Sequence, residues 1–222
     1  MALNGAKALR ALSVGRDRIG RAESMGLAWR LEPPTVKERG VTTRLDPRNR
    51  WLLHFTHVDN LPSIVAAGRF SCDGQAGQGL LKKEVGDVEI KEIRRRRPVT
   101  AGPGGSVGDY VPFYFAPRSP MMFRIACDHR DAIPGRYPDG DRPLAYLATT
   151  VGAIIDAGLA WVATDGNAAT ATTRFIPDLD DLNLMVDWPL MRSQMWNNTS
   201  DDPDRQRRRW RSSSCKATYR LR

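Results

Sequence analysis

The run "DYVPFYFAPRSPMMFRIACDHR", residues 109–130, constrains the fold of this chain more than any other stretch. Its first half is aromatic and β-branched, the chemistry of a buried strand. Pro117 ends that strand, and Ser119 followed by Pro120 opens a helix, with the proline at a position that needs no N–H. Similar signals recur along the chain. "WLLHFT" (51–56) predicts a buried strand. "HVDNLPSIVAAG" predicts a helix capped by Asp59 or Asn60, carrying Leu61, Ile64 and Val65 on one face and ended by Gly68. "EVGDVEIKEIRRRRPV" predicts a helix as far as Pro98. "PLAYLATT" and "LAWVATD" predict strands on either side of a helical "VGAIIDAG". Strands and helices mix without a regular βαβ alternation, so the fold class is α+β.

A chain of 222 residues with 41% hydrophobic content can bury one sizeable core. "LEPPTVKERG" and "LDPRNR" are turn and linker chemistry, so residues 1–48 are expected to form a flexible extension before a domain over 49–209. No apolar run approaches the roughly 18 residues that span a bilayer, and the basic, Ala-rich start lacks the apolar stretch of a secretory leader. Cys72, Cys127 and Cys215 show no CxxC or paired spacing, which reads as reduced thiols in a cytoplasmic protein away from membranes. Lysine and arginine number 34 against 25 acidic residues, a formal charge of +9. That balance favours a polyanionic partner such as nucleic acid without identifying one.

The candidate chemical groups stay open at this level. "HFTH" sets His54 and His57 three apart, but His129 is the one further histidine, so the ligand count argues against a metal. His54 reads either as a buried, backbone-bonded ring beside a surface His57, or as a substrate contact at a strand end. Lys91 and Arg94 to Arg97 form a solvated basic face or a phosphate site. "GPGG" lacks the context of a phosphate loop, and the aromatic run could stack bases or fill a core.

Taken in order, "HFTHVDNLPSIVAAG", "IKEIRRRRPV", "GDYVPFYFAPRSPMMF", "TDGNA" and "DWPLMRSQMWNNTSDDPDRQRRR" closely resemble the DarT family of bacterial toxins, from about Trp51 to Arg209. The resemblance implies the ADP-ribosyltransferase fold, a split β core with an NAD cleft and flanking helices. It implies transfer of ADP-ribose from NAD, as substrate and with no metal, to a base in single-stranded DNA, commonly thymine. By the family pattern His54, Phe55 and Thr56 line the NAD site, Ser63 and Ser71 fall at two further NAD-contacting positions, and Arg94 matches the catalytic arginine. A guanidinium with a pKa above about 12 is a poor proton acceptor. Orienting phosphates, or lowering the pKa of a base N–H by its charge, suits Arg94 better. Trp196 is the expected base-stacking residue, and Arg207, Arg208 and Arg209 the expected phosphate contacts, unless that turn is merely solvated. The family's usual restraint is a DarG-type macrodomain antitoxin.

One family part has no counterpart. A glutamate that stabilises the oxocarbenium-like ribose sits, in the family, in a run resembling Q-A-E-F-L-V just after the basic turn. Here the last glutamate is Glu92. An allowed set of codons for Trp210 to Arg222, read one base earlier, gives x-A-E-F-L-V, so residues 210–222 are expected to be a frameshifted ending that leaves a core edge unpaired. The alternative function is then an inactive NAD- and DNA-binding remnant. Sequencing the gene through the Arg209 codon tests this: a one-base change there should restore A-E-F-L-V, and a gene offering no such reading removes the idea.

Overall fold

The computed structural model describes residues 10–13, 46–74, 81–135, 137–216 and 218–220. Seven strands form one sheet: β1 (Arg10–Ser13), β2 (Trp51–His57), β4 (Tyr110–Tyr114), β5 (Leu144–Thr150), β6 (Trp161–Thr164), β7 (Phe175–Ile176) and β8 (Ser212–Lys216). Their order is β1-β5-β2-β4-β8-β6-β7, and every pairing is antiparallel. Strands β3 (Arg69–Ser71) and β9 (Thr218–Arg220) pair separately. The helices are α1 (Leu61–Ala67), α2 (Val88–Arg96), α3 (Pro120–Arg130), α4 (Val151–Asp156), α5 (Leu179–Met185), α6 (Trp188–Arg192) and α7 (Arg205–Arg209). None of the described helices is long and apolar enough to cross a membrane. The class is α+β, as the irregular alternation requires.

Strand β2 is buried on both faces, which is why it reads as an apolar run rather than an alternation. Leu52 packs with Ile64, Phe113, Leu147, Ile154 and Leu182 on one side. Leu53 and Phe55 pack with Met122, Ile125 and Tyr146 on the other, under α3. Helix α3 starts where the sequence indicates, with Ser119 Oγ accepting from Met122 N at 3.2 Å and Pro120 in the first turn. Gly68 ends α1 with a φ of +60°, the left-handed geometry that glycine adopts without strain. Asn60 occupies the N-cap of α1 but makes no capping hydrogen bond; its amide is committed elsewhere.

The sheet is nearly two sheets. Strands β2 and β5 stay in register from Trp51↔Thr150 to His57↔Leu144, and β4 and β8 from Tyr110↔Lys216 to Tyr114↔Ser212. Between these halves one registered pair remains, Leu53↔Tyr114. Pro112 supplies the physical reason. In an antiparallel strand a residue's N–H and C=O point to the same neighbour, and the Pro112 carbonyl turns toward β2, where it meets His54. The donor that proline lacks is therefore one that β2 would have needed. Past Leu53 the two strands separate and a cleft opens.

Two boundaries differ from the sequence expectation. Within residues 1–48, expected to be a flexible extension, Arg10–Ser13 pair with Ala145–Ala148 as the outer strand, and Asp46 caps a 3-10 turn over Pro47–Asn49. The remaining residues of 1–45 lie outside the described set. Within 210–222, Ser212–Lys216 form the strand between β4 and β6, so the expected unpaired core edge is filled. Ladder hydrogen bonds are backbone bonds, and a polar "SSSCK" satisfies them as well as an apolar strand would.

Helix α2 lies against the 3-10 turn Val107–Asp109 that leads into β4. A Cβ on Gly108 would fall 3.0 Å from Arg95 Cα and 3.3 Å from its backbone nitrogen. Gly108→Ala should therefore push α2 outward and destabilise the fold by about 1–3 kcal/mol, seen as a Tm several degrees lower in thermal unfolding. An unchanged Tm would show that α2 yields freely.

Candidate active site

Where β2 and β4 part, the structure encloses a cavity of about 270 Å³. His54 bridges the opening. Its ring packs between Phe70 and Phe113, with centroids 5.3 and 5.8 Å away, and its Nδ1 stands 2.8 Å from Pro112 O. A carbonyl only accepts, so Nδ1 carries the proton and Nε2 of the neutral ring is an acceptor. Burial lowers the His54 pKa below its ordinary value, and the bond to Pro112 offsets this in part. The ring is therefore backbone-bonded, as one sequence reading expects, and it also lines the cavity.

Phe55 and Thr56 line the same cavity. Phe55 stacks on Tyr114 at 5.7 Å and 15°, and Tyr146 meets it edge-on at 6.0 Å. Burial raises the Tyr114 pKa to about 12, so this wall is neutral and largely apolar. Thr56 Oγ1 accepts from Asn60 Nδ2 at 3.0 Å. The Asn60 amide also donates to Lys83 O at 2.7 Å, and its oxygen accepts from Lys82 N and Lys83 N at 2.8 and 2.9 Å. This buried side chain ties the end of β2 to the loop that forms the opposite wall. Ser71 lines the cavity too, and its buried Oγ has no hydrogen-bond partner among the described residues. Ser63 does not reach the cavity lining; its Oγ donates to Asn60 O at 3.0 Å within α1.

The basic run of α2 separates residue by residue. Lys91 and Arg94, three apart and so on one helix face, turn to the cavity. Arg94 Nε lies 3.0 Å from Asp73 Oδ2, and its Nη2 donates to Tyr110 O at 3.2 Å. Lys91 Nζ lies 3.1 Å from Asp73 Oδ1 and 2.5 Å from Glu84 Oε2. Arg95 and Arg96 pair with Glu92 at the surface. Arg97 donates to Ala171 O and Thr173 O, both at 3.1 Å. The "GPGG" loop stands apart from the cavity, folded back by the bond from Val99 N to Gly105 O.

The expected DNA contacts are placed differently from the sequence reading. Trp196 is only 5% exposed and belongs to the main core, so its ring offers no open face to a base. Arg209 is fully buried, with its guanidinium donating to Leu190 O and to Arg118 O; burial lowers its pKa to about 10. Arg208 pairs with Asp187 and Asp202. Arg207 pairs with Asp204 at 2.6 Å and approaches Asp165 at 3.5 Å, and it alone of the three is half exposed. Core packing and carboxylates close in space absorb what reads along the chain as a free basic run. Asn60, Asp73, Glu84 and Trp210 line the cavity without having been singled out for it from the sequence, whereas Lys91 belongs to the basic run that the sequence offered as a phosphate site. Among the described residues no group of three His, Cys, Asp or Glu side chains could hold a metal.

Comparison with known proteins places this arrangement. A family model described as "ssDNA thymidine ADP-ribosyltransferase, DarT" matches residues 53–211. A DNA ADP-ribosyl transferase of Mycobacterium tuberculosis is 39% identical over 184 residues, covering 82% of this chain and 76% of the relative. The DarT of Thermus sp. 2.9, solved with ADP-ribosylated ssDNA, superposes with a TM-score of 0.68 at 29% identity over 77% of each chain; its NAD+ complex gives 0.64 over the same coverage. A DNA ADP-ribosyl transferase–DNA ADP-ribosyl glycohydrolase fusion protein of Thermosipho africanus is 30% identical over 128 residues, 58% of this chain and 30% of that protein.

Two outcomes follow from the geometry. Below about pH 6.5 an unfolded His54 takes up a proton that the folded one resists, so the unfolded state binds more protons and stability falls with falling pH. His54→Gln should flatten that acid limb in urea titrations across pH, and an unaltered slope would refute it. Asn60→Asp keeps the acceptor for Lys82 N and Lys83 N but sets a carboxylate against Lys83 O. NAD-induced thermal stabilisation should shrink more than for Asn60→Ala if electrostatic repulsion at Lys83 governs the wall.

Proposed function

This chain belongs to the DarT family of DNA ADP-ribosyltransferases, and from that premise we propose that it takes ADP-ribose from NAD and places it on thymine in single-stranded DNA. The observation that carries the proposal is the cleft at the β2/β4 split. It combines the cations of Lys91 and Arg94, the neutral stacked wall of Phe55 and Tyr114, and a buried Ser71 hydroxyl that lacks a partner. A dinucleotide needs such a set: positive charge for its diphosphate, a flat apolar wall for a ring, and hydroxyl or imidazole groups for its riboses. NAD supplies the ADP-ribosyl group, with nicotinamide as the leaving group.

The protein's own part is to hold and to polarise. Asp73 and Tyr110 O fix the Arg94 guanidinium in the cleft, where its charge opposes the diphosphate and favours loss of a proton from the target base. His54 Nε2 accepts a hydroxyl proton in a hydrogen bond, because Pro112 holds the proton at Nδ1. The biological role is that of a cytoplasmic toxin restrained by a DarG-type macrodomain antitoxin. The fusion of the two activities in the Thermosipho relative supports this partner.

A second reading, binding without turnover, is favoured by the absence of any glutamate after Glu92. Ser212 stands at the register position opposite Tyr114 and Thr164, where the shifted reading frame puts the family's glutamate.

Incubation with NAD and a thymine-containing oligonucleotide, followed by mass spectrometry, tests the first reading. An ADP-ribosylated product should form, and Arg94→Ala should cut its rate on the order of 10²–10³-fold. NAD-induced thermal stabilisation without product, together with product from Ser212→Glu, would establish the second reading. No thermal response to NAD would sink both.

A further inference from the structure

With Trp196 packed inside the fold, a different residue must meet the strand beside the cleft. Among the described residues, Phe123 is the one aromatic side chain counted with the large exposed hydrophobics, at 51% exposure. The other described aromatic rings are buried or half-buried. Phe123 is also held in place: Trp196 meets it edge-on, with centroids 5.4 Å apart at 83°. The backbone just before Trp196 is pinned as well, since Met195 O accepts from Arg205 Nη2 at 2.7 Å and from Ser193 Oγ at 2.5 Å. An exposed ring with a preset orientation loses little freedom when something stacks on it.

Arg124 follows directly, and it lines the cavity. Its recorded acidic partner is Asp128, one turn along α3, at 3.7 Å, and the guanidinium remains 59% exposed. So long and exposed a pair leaves the cation available to an incoming anion. Met121 and Arg124, three apart, are the α3 residues that line the cavity. Successive residues turn about 100° around a helix, so Phe123 stands on the face next to Arg124, off the cavity lining and against Trp196. Along α3 the exposed ring and the cleft-lining cation are thus adjacent residues on neighbouring faces.

We propose that Phe123 and Arg124 form the platform on which single-stranded DNA continues past the reacting base. A neighbouring base stacks on Phe123, and the phosphate between it and the target nucleotide meets Arg124. The proposal rests on the DNA reading above and adds the residues that hold the strand. It chooses DNA over an apolar peptide because the ring stands beside an available cation at the mouth of a cleft already lined by Lys91 and Arg94. Aromatic stacking beside positive charge is how single strands are held without base-specific hydrogen bonds.

Fluorescence anisotropy of a labelled oligo-dT with the full chain, repeated over a range of salt, tests the platform. Phe123→Ala should weaken binding about tenfold at every salt concentration, Phe123→Trp should restore it, and the thermal shift given by NAD should stay as in the parent. Arg124→Gln should lower the slope of log K against log salt by about one. If the parent binds DNA and Phe123→Ala binds equally well, the platform is overturned while the proposed function stands. A parent that binds no DNA at low salt overturns the DNA reading and the platform with it. A lower Tm for Phe123→Ala with unaltered DNA affinity would mean that the chain itself covers the ring, which also overturns the platform.

Discussion

The hydrogen bond from His54 Nδ1–H to Pro112 O organises the rest of this molecule. A seven-stranded antiparallel sheet would ordinarily pair every neighbouring backbone group, and a cleft in its middle would leave polar groups stranded. Proline removes the donor at the point of parting, and histidine satisfies the carbonyl that remains. One residue further along the same edge of β4, counting by twos, the Tyr110 carbonyl is satisfied by Arg94. Two carbonyls on the β4 edge of the cleft are therefore met by side chains. Two side chains that complete the backbone ledger there are also the two with most to offer a nucleotide.

The electrostatics follow the same economy. A formal charge of +9 suggests a surface coated with free cations, yet most of the arginines that form basic runs in the sequence are committed. Arg95 and Arg96 hold Glu92, Arg97 holds two carbonyls, Arg207 and Arg208 hold aspartates, and Arg209 is a core residue. Burying a guanidinium is costly unless its donors are met, and Arg209 meets the carbonyls of α6 and of the turn before α3. Positive charge is concentrated instead where Lys91 and Arg94 share one aspartate. Asp73 is shared by Lys91 and Arg94, Glu84 pairs with Lys91, and Lys83 and Arg124 add further positive charge to the cavity lining, a set suited to an anion.

Much of the fold was legible because local rules and tertiary packing agree. Ser119 and Pro120 start α3, Gly68 stops α1, α2 ends before Pro98, and the apolar strands lie where the β-branched and aromatic residues cluster. The site was legible in part: the spacing within "HFTH" drew attention to His54, and family likeness drew it to Thr56, Ser71 and Arg94. Where the structure departs from the sequence reading, one cause recurs. Trp196 looked like a stacking residue and Arg209 like a phosphate contact because burial is not written in residue type. The stretch from Ser212 looked like a purposeless ending because strand pairing there depends on the backbone of β4 and β6, not on the side chains that sequence patterns weigh.

By itself the sequence determined the element types, the likeness to DNA ADP-ribosyltransferases and the residues of β2 and α2 that line the cleft, since propensity, capping and motif order are local properties of a chain. Tertiary structure alone decided where the sheet parts, which cations remain available, and that Asn60 rather than capping its helix ties the cleft wall to β2. Those outcomes depend on carbonyls, carboxylates and rings brought together from distant positions. No window of sequence contains both Pro112 and His54, and the cleft exists because they meet.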